Sequence, residues 1–368
     1  MHPAASQAGK AEGFRRGQSA GYRQGRCVAA LARVAGSPEP KPFWNIKLLY
    51  VTAEFGVCYN AIDNGIIESL QGMVRELITA NVEQPLAEIC RERRPDVVLV
   101  LNSMDDGVAR QMDDIRSMGI RTAIWHCDDP YYSDVSLERS IHYDVVFTHE
   151  KSCVPAYREA GCPRVFHLPL GMNPRVFTPK QVPPMYETDI CFIGNAFWNR
   201  VELFDKLAPY LAGKRVMIAG LWWQRLDHYT KLSKMIRSGA WMHFEETARY
   251  YNGAKLVINL HRRHDDESIN MNSRRLPSLS INPRTYEISA CGTLQLTDAR
   301  EELPDQYTPG RELVTYDSAE HLMQIMEYYL RHEKERIDIA MQGLARTLRD
   351  HTFDKRMAVL LRTVMEAM

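Results

Sequence analysis

Several features that mark well-defined classes of protein are missing from this sequence. Lys and Arg number 46 and Asp and Glu also number 46, so the chain has no net charge and a dedicated nucleic-acid binder is not expected. The eight Cys form no C-x-x-C pair, which argues against a disulfide scaffold and for a reducing cytoplasm. No apolar run approaches the roughly 20 residues that cross a bilayer. The short apolar run at residues 27–32 is followed at once by Arg33, so export is not expected.

What the sequence does contain begins with a distinct N-terminal extension and linker, residues 1–42. Basic side chains outnumber acidic ones by six to two in residues 1–40; they are Lys10, Arg15, Arg16, Arg23, Arg26 and Arg33 against Glu12 and Glu39. Glycines recur every four residues from Gly13 to Gly25, so a helix here would carry a glycine stripe that another backbone could approach. We expect the extension either to dock on the body of the protein or to bind an acceptor or a second copy of the chain. Residues 37–42 predict a stiff, Pro-rich linker.

After the linker, segments that predict strands alternate with segments that predict helices. The strands predicted in the first half cover residues 46–52, 96–101, 121–126, 144–148 and 164–169. The helices predicted there cover residues 65–80, 85–93, 105–118 and 153–160. This alternation is typical of an α/β protein with a parallel sheet covered on both faces.

The pattern pauses at the Pro-rich segment 178–184, which predicts a domain hinge, and then repeats. The strands predicted in the second half cover residues 189–194, 215–219, 255–260, 293–297 and 312–315. The helices predicted there cover about 197–211, 245–252, 284–291, 318–331 and 333–349. We therefore expect two Rossmann-like domains facing across a cleft, at 43–178 and 179–352, with a last helix, 353–368, packing back on the first. Ligands of such sheets bind at the carboxyl ends of the strands.

Polar side chains follow the predicted strand at 121–126, where Pro130 prevents the strand from continuing. His126, Asp128 and Asp129 would lie at the carboxyl edge of the first sheet. A histidine with two carboxylates there could orient a substrate hydroxyl or act as a base, so these three are the candidate catalytic residues. The alternative is a turn cap, which would explain one aspartate but not both and the histidine.

The second half opens with a strand, a turn at Gly194 and Asn195, and a helix that carries Asn199 and Arg200. The N–H groups of a helix start that faces the cleft could bind a pyrophosphate. Arg200, one turn into the helix, could neutralise its charge. A single glycine is a weaker signal than G-x-G-x-x-G.

A short helix that carries a carboxylate is predicted between Pro283 and Gly292. Glu287 lies among apolar neighbours and needs a partner, which the two hydroxyls of a ribose would provide. Arg284 and Thr285, on the same helix, are further candidates for ligand binding. The alternative is a salt bridge between Arg284 and Glu287, three residues apart.

A charged segment, residues 261–267, follows a predicted strand. We expect a mobile loop over the cleft, with His261 as a candidate ligand-binding residue. Two histidines and nearby carboxylates could also bind a divalent ion, but the spacing does not match a tetrahedral site, so no metal is predicted.

These segments, in this order, resemble the CgeB-like (spore-maturation type) glycosyltransferases, a branch near glycosyltransferase families 1 and 4. The resemblance covers most of residues 46–360. The matching segments are W-H-C-D-D-P at 125–130, L-P-L-G at 168–171 with F-T-P at 177–179, D-I-C-F-I-G at 189–194, N-P-R-T-Y-E-I-S-A-C-G-T at 282–293, and H-T-F-D-K-R at 351–356.

The resemblance implies a GT-B fold and the transfer of a hexose from a nucleotide-diphosphate sugar with retention. It implies that Glu287 holds the ribose, that Arg200 and Arg284 lie near the diphosphate, and that His126 lies near the transferred sugar. It implies no metal and no cofactor besides a co-substrate of the UDP, dTDP or GDP type. Related enzymes have a first glutamate eight residues before Glu287, where this chain has Leu279.

We therefore expect a cytoplasmic glycosyltransferase that binds a nucleotide-sugar donor and an acceptor protein, glycan or small molecule. The acceptor is expected near residues 54–64 and 126–132. Two other functions fit the same sequence: a non-catalytic binding or structural protein of this fold, and a nucleotide-sugar epimerase.

Overall fold

The computed structural model of the protein describes residues 3–36, 40–53, 59–239 and 241–367. Residues 37–39 of the predicted linker and 54–58 of the predicted acceptor segment lie outside the described residues, as do the side chains of Glu12, Arg15 and Arg16. The described chain contains two six-stranded parallel sheets flanked by helices, which confirms the α/β class with two Rossmann-like units. None of its helices is both long enough and apolar enough for a membrane span.

The first sheet has the strand order β2-β1-β3-β4-β5-β6. Its strands are β1 (Trp44–Val51), β2 (Val74–Ala80), β3 (Val97–Leu101), β4 (Arg121–His126), β5 (Val145–Thr148) and β6 (Val165–His167). The helices around it are α2 (Asn60–Leu70), α3 (Leu86–Arg93), α4 (Asp106–Ser117), α5 (Ser133–Ser140) and α6 (Cys153–Glu159). Because helices cover both faces, every residue of β3 is buried.

The helix predicted over residues 65–80 is wrong. Helix α2 ends at Leu70, and Gly72, with a φ of +88°, turns the chain into β2. Strand β2 lies at the edge of the sheet and pairs with β1, with Leu77 opposite Leu48. Edge strands tolerate polar side chains such as Arg75 and Glu76, so β2 lacks the apolar run that identified the central strands.

The second sheet has the order β12-β11-β10-β7-β8-β9. Its strands are β7 (Thr188–Ile193), β8 (Val216–Gly220), β9 (Ile236–Ser238), β10 (Ala254–Asn259), β11 (Leu294–Asp298) and β12 (Val314–Tyr316). Its helices are α7 (Trp198–Leu211), α8 (Tyr229–Leu232), α9 (Phe244–Gly253), α10 (Pro283–Ala290), α11 (Leu303–Gln306), α12 (Ala319–Arg331) and α13 (Glu333–Asp350). Short 3-10 helices cover Pro184–Tyr186, Trp223–Arg225 and Ser233–Met235.

Helix α14 (Phe353–Glu366) follows the second unit in the chain but packs in the core of the first. Phe353 meets Trp125 of β4 edge-on, with ring centroids 6.4 Å apart. The ring of Phe353 also occupies the space beside Gly65 of α2, where a Cβ would lie 2.4 Å from it. Gly65 therefore allows α2 and α14 to approach closely.

The chain passes between the two units twice, and the two passages pair with each other. Met172 N donates to His351 O at 3.0 Å, and Phe353 N donates to Met172 O at 3.1 Å. Gly171 is needed here because a Cβ would lie 3.1 Å from His351 O and Phe353 N. The segment predicted as a hinge, 178–184, lies just beyond this pairing, between β6 and β7.

The N-terminal extension forms helix α1 (Pro3–Ala35), which packs on α13 of the second unit through Cys27 and Ala30. Arg23 donates to the carbonyls of Asn252 and Cys291, at the C-terminal ends of α9 and α10, where a cation is favoured. The glycine stripe faces away from the body, since a Cβ at Gly13, Gly17, Gly21 or Gly25 would meet no described atom within 4 Å.

Candidate active site

The predicted donor-binding residues gather where β7 and β10 lie side by side in the second sheet. Strand order reverses between these two strands, and the carboxyl ends beside such a reversal form a crevice. Gly194 follows β7, and His261 follows β10 by two residues. The structure therefore brings these residues, together with Arg200 of α7 and Arg284 of α10, to one edge of the sheet.

Arg200 is a buried cation with no acidic partner among the described residues. Its Nε and Nη2 donate to Leu260 O at 3.1 and 2.8 Å, and its Nη1 donates to Asn195 O at 2.8 Å. Burial lowers the pKa of the guanidinium well below its ordinary value, and the positive charge of Arg284 lowers it further. Three of the five N–H groups are used, so two remain for a ligand.

Gly194 lies between Arg200 and Arg284. A Cβ at Gly194 would lie 2.9 Å from Arg200 Nη1 and 3.4 Å from Arg284 Nη2. Arg284 is partly exposed, and the described chain gives its guanidinium neither a hydrogen bond nor an ion pair. Two cations that form no ion pair with the described residues converge here on a turn that lacks a side chain, which makes a suitable site for an anion.

Glu287 is a partly buried carboxylate to which the described chain gives no hydrogen-bond partner. Burial raises its pKa to about 7, and the charge of Arg284 only partly offsets this. The alternative of a salt bridge to Arg284 is wrong, because no ion pair joins the two side chains. Hydroxyl groups of a ligand would supply the missing hydrogen bonds.

Four other predicted donor-binding side chains have partners within the protein. His261 is buried, with Nδ1 2.6 Å from Asp298 Oδ1, and Nε2 accepts from Asn282 N at 3.0 Å, so neither ring nitrogen is left for a ligand. The remaining three bond to backbone or amide groups; they are Asn195 to Leu221 N, Asn199 to His261 O, and Thr285 to Asn259 and Asn282. These contacts fix the four side chains at the edge of the site, and their role in ligand binding stays a prediction.

The expectation that His126 and Asp129 are presented at the cleft is wrong, because both are buried. The His126 ring stacks on Tyr157 with centroids 5.4 Å apart, and its Nε2 lies 2.7 Å from Ser140 Oγ. Burial lowers the pKa of His126, and the charge of Asp129 partly opposes this. The Asp129 carboxylate accepts from Ser136 and Thr148 at 2.9 and 2.6 Å and from Tyr157 at 2.8 Å. These contacts hold α5 and α6 to the end of β5.

Asp128 is the predicted catalytic residue that is partly exposed. It accepts from Asn102 Nδ2 at 2.8 Å and from the hydroxyl of Tyr59. Burial raises the pKa of Asp128, while Tyr59, Asn102 and Arg262 oppose that rise. A raised pKa makes a carboxylate a stronger base.

The segment predicted as a mobile loop, 261–267, and the residues after it contact the first unit. Within the predicted segment, Arg262 O accepts from the Tyr131 hydroxyl at 3.1 Å. Met271 N donates to Tyr131 O at 2.8 Å, and Asp134 N donates to Met271 O at 3.0 Å. Ser133 Oγ adds a bond to Asn272 at 2.9 Å. Residues 262–280 therefore bridge the cleft, and nowhere in the described residues do three or more His, Cys, Asp or Glu side chains form a group that could hold a metal ion.

Comparisons with known proteins show what this chain is similar to. The model of a family described as "Glycosyl transferase-like" matches residues 200–362. Spore protein CgeB of Bacillus subtilis (strain 168) is 29% identical over 320 residues, which are 86% of this chain and 98% of that protein. The predicted resemblance to CgeB-like glycosyltransferases is confirmed.

Solved structures agree on the fold of this chain. The structure of Anabaena Alr3699/HepE in complex with UDP and glucose is 9% identical, covers 88% of this chain and 100% of its own, and gives a TM-score of 0.61. Sucrose-phosphate synthase from Thermosynechococcus elongatus is 12% identical with the same coverage and a TM-score of 0.56. The fold is GT-B, as the resemblance implied.

Two residues of the candidate site were missed in the sequence. Asn102 follows β3 with a φ of +48°, and its Oδ1 accepts from the backbone N–H groups of Cys127 and Asp128. Arg262 lies over the rings of Tyr131 and Phe197, 4.5 and 4.6 Å from their centroids. An asparagine directly after a buried strand is a usable signal for a left-handed turn, whereas the stacking of Arg262 depends on contacts between units.

Proposed function

We propose that this protein transfers a glycosyl group from a nucleoside-diphosphate sugar to an acceptor hydroxyl. The observation that carries the proposal is the convergence of Arg200 and Arg284, neither with an acidic partner, on Gly194 beside the unpaired Glu287. A diphosphate would neutralise the two guanidinium groups, and ribose hydroxyls would donate to Glu287. UDP in the complexes of the Anabaena relative supports a nucleotide of this class.

The acceptor side of the proposed reaction lies on the first unit, at Asp128. The bond between the sugar C1 and the diphosphate oxygen breaks, and a bond forms between C1 and the acceptor oxygen. The proton of the acceptor hydroxyl passes to a basic oxygen, a role that we assign to Asp128. Asn102 and Tyr59 orient this carboxylate by their hydrogen bonds. Arg200 and Arg284 stabilise the charge that develops on the leaving diphosphate.

A test of the donor site is calorimetric titration of UDP, dTDP and GDP into wild type and Glu287→Gln. We expect Glu287→Gln to weaken binding by about 1–3 kcal/mol, because charge-assisted hydrogen bonds are lost. Since Glu287 has a pKa of about 7, wild-type affinity should fall as the pH drops below 7, and the variant should lose that part of the dependence. Glu320→Ala, an exposed change on α12, is the control. Equal affinities in wild type and Glu287→Gln would remove Glu287 from the site.

A non-catalytic binding protein is the second candidate function. The burial of His126 and Asp129 favours it, because it removes two of the three expected catalytic groups from the cleft. Slow hydrolysis of a UDP-, dTDP- or GDP-sugar in the absence of an acceptor would show that the site is catalytically active. Nucleotide binding without any release of diphosphate would favour the binding protein. Activity that EDTA abolishes and Mg²⁺ restores would contradict the proposed metal-independent reaction.

A further inference from the structure

A carboxylate of the first unit binds the backbone of the second, directly before the donor helix. Glu150, two residues beyond β5, is 1% exposed. Its Oε1 accepts from Leu279 N at 3.1 Å, and its Oε2 accepts from Ser280 N at 3.2 Å. One side chain of the first unit thus accepts hydrogen bonds from two consecutive N–H groups of the segment 277–280.

The residues after Glu150 extend the same contact. Lys151 N donates to Ser280 Oγ at 3.0 Å, and Ser152 Oγ donates to Pro277 O at 2.5 Å. Segment 277–280 leads directly into Asn282, whose side chain caps α10 by accepting from Thr285 N at 3.1 Å. Helix α10 carries Arg284 and Glu287, so the contact at Glu150 sets where both residues lie relative to the first unit.

The chemistry of Glu150 is unusual for a contact that only stabilises the fold. No cation pairs with the carboxylate among the described residues, and burial raises its pKa to about 7. A buried charge bound by N–H and hydroxyl groups with no cation is costly. A polar or apolar contact would hold the two units together at lower cost. The two oxygens of the carboxylate bind two adjacent N–H groups at once, and they therefore fix the orientation of the backbone segment that carries them.

We propose that Glu150 is a positioning residue for glycosyl transfer, which sets the donor helix α10 of the second unit against the acceptor edge of the first. This rests on the proposed function. Nucleotide binding needs only the second unit, whereas transfer needs donor and acceptor groups aligned across the cleft. Loss of Glu150 therefore affects the chemical step more than it affects nucleotide affinity.

The experiment compares Glu150→Gln with Glu159→Gln in the full-length protein. Glu159 is also on the first unit and pairs with Arg274 of the same loop, at 3.8 Å, but its side chain is 73% exposed, so the matched substitution should change little. In Glu150→Gln an amide NH₂ meets backbone N–H groups. We expect kcat to fall about 10- to 100-fold, with the UDP affinity and the donor KM within about threefold of wild type.

Hydrogen exchange provides a second measurement that does not depend on activity. The amides of Leu279 and Ser280 should exchange about tenfold faster in Glu150→Gln than in wild type or Glu159→Gln. Ser280→Ala removes the hydroxyl that contacts Lys151 N at 3.0 Å and Glu150 Oε1 at 3.4 Å, but it keeps the carboxylate. It should lower kcat in the same direction but less. If Glu150→Gln does not fold, the Ser280→Ala variant provides the test.

The outcomes separate this inference from the proposed function. An active wild type with an equally active Glu150→Gln variant overturns the positioning role alone. Equal losses of kcat and UDP affinity together with a lower melting temperature also overturn it, since they indicate a merely structural contact. A wild-type protein that binds no nucleoside diphosphate refutes the proposed function and the positioning role with it.

Discussion

A side-chain methyl at position 194 would lie 2.9 Å from Arg200 Nη1 and 3.4 Å from Arg284 Nη2. Arg200 is held by three carbonyl contacts, so it has little freedom to move away. We expect Gly194→Ala to weaken UDP binding about tenfold, or about 1.4 kcal/mol, by displacing one guanidinium. Titration calorimetry measures the change. Gly213→Ala, where a Cβ meets nothing within 4 Å, is the matched control, and equal affinities in the two variants would refute this geometry.

At the scale of single residues, the site residues that could be predicted from the sequence are those that a local sequence pattern marks. Arg200 and Glu287 were identified because each lies one turn into a helix that follows a strand or a Pro, and the structure leaves both with unused hydrogen-bonding capacity. His126 was misplaced because β4 is covered on both faces, so the end of the strand is still in the core. Glu150 carried no signal at all, since its partners are 129 and 130 residues away.

The network around Asp129 joins three elements of the first unit. Asp129 lies beyond β4 and accepts hydroxyl hydrogens from α5, β5 and α6, through Ser136, Thr148 and Tyr157. Asp129→Ala would leave three buried hydroxyl groups without this acceptor, so we expect a loss of about 2–4 kcal/mol in the free energy of unfolding. Urea unfolding measures it.

Glu138→Ala is the control for that prediction, because Glu138 lies on the same helix α5 and its side chain is 71% exposed. Unchanged stability of Asp129→Ala together with lost turnover would restore Asp129 as a catalytic residue. A large loss in both variants would mean that α5 is sensitive to any substitution.

At the scale of elements, burial decided what could be predicted. The continuous apolar run of β3 identified a central strand correctly. Strand β2 was missed because an edge strand has no such run. The glycine spacing of α1 correctly suggested a helix face. Which face meets the body could not be predicted, because contacts of Arg23 and Cys27 with distant residues decide it.

The molecule as a whole depends on the junction of α2 and α14. In Gly65→Ala a Cβ would lie 2.4 Å from the ring of Phe353, which is buried against Trp125. Because neither ring can move without opening the core, we expect a loss of about 1–3 kcal/mol in stability. Gly17→Ala in α1, which meets no described atom within 4 Å, should instead stabilise the protein by up to about 1 kcal/mol. Calorimetric melting of the two variants distinguishes them, and equal shifts would contradict the close packing of α14.

The return of α14 to the first unit also has a consequence for biosynthesis. Domains commonly fold as they leave the ribosome, the N-terminal one first. Here five core residues of the first unit lie in α14, downstream of the entire second unit; they are Phe353, Met357, Leu360, Leu361 and Val364. Helix α2 covers part of the same face of the first sheet, but the part that α14 covers stays exposed during translation until the second unit has been made. We therefore expect chaperones that bind exposed apolar surface to bind the nascent chain.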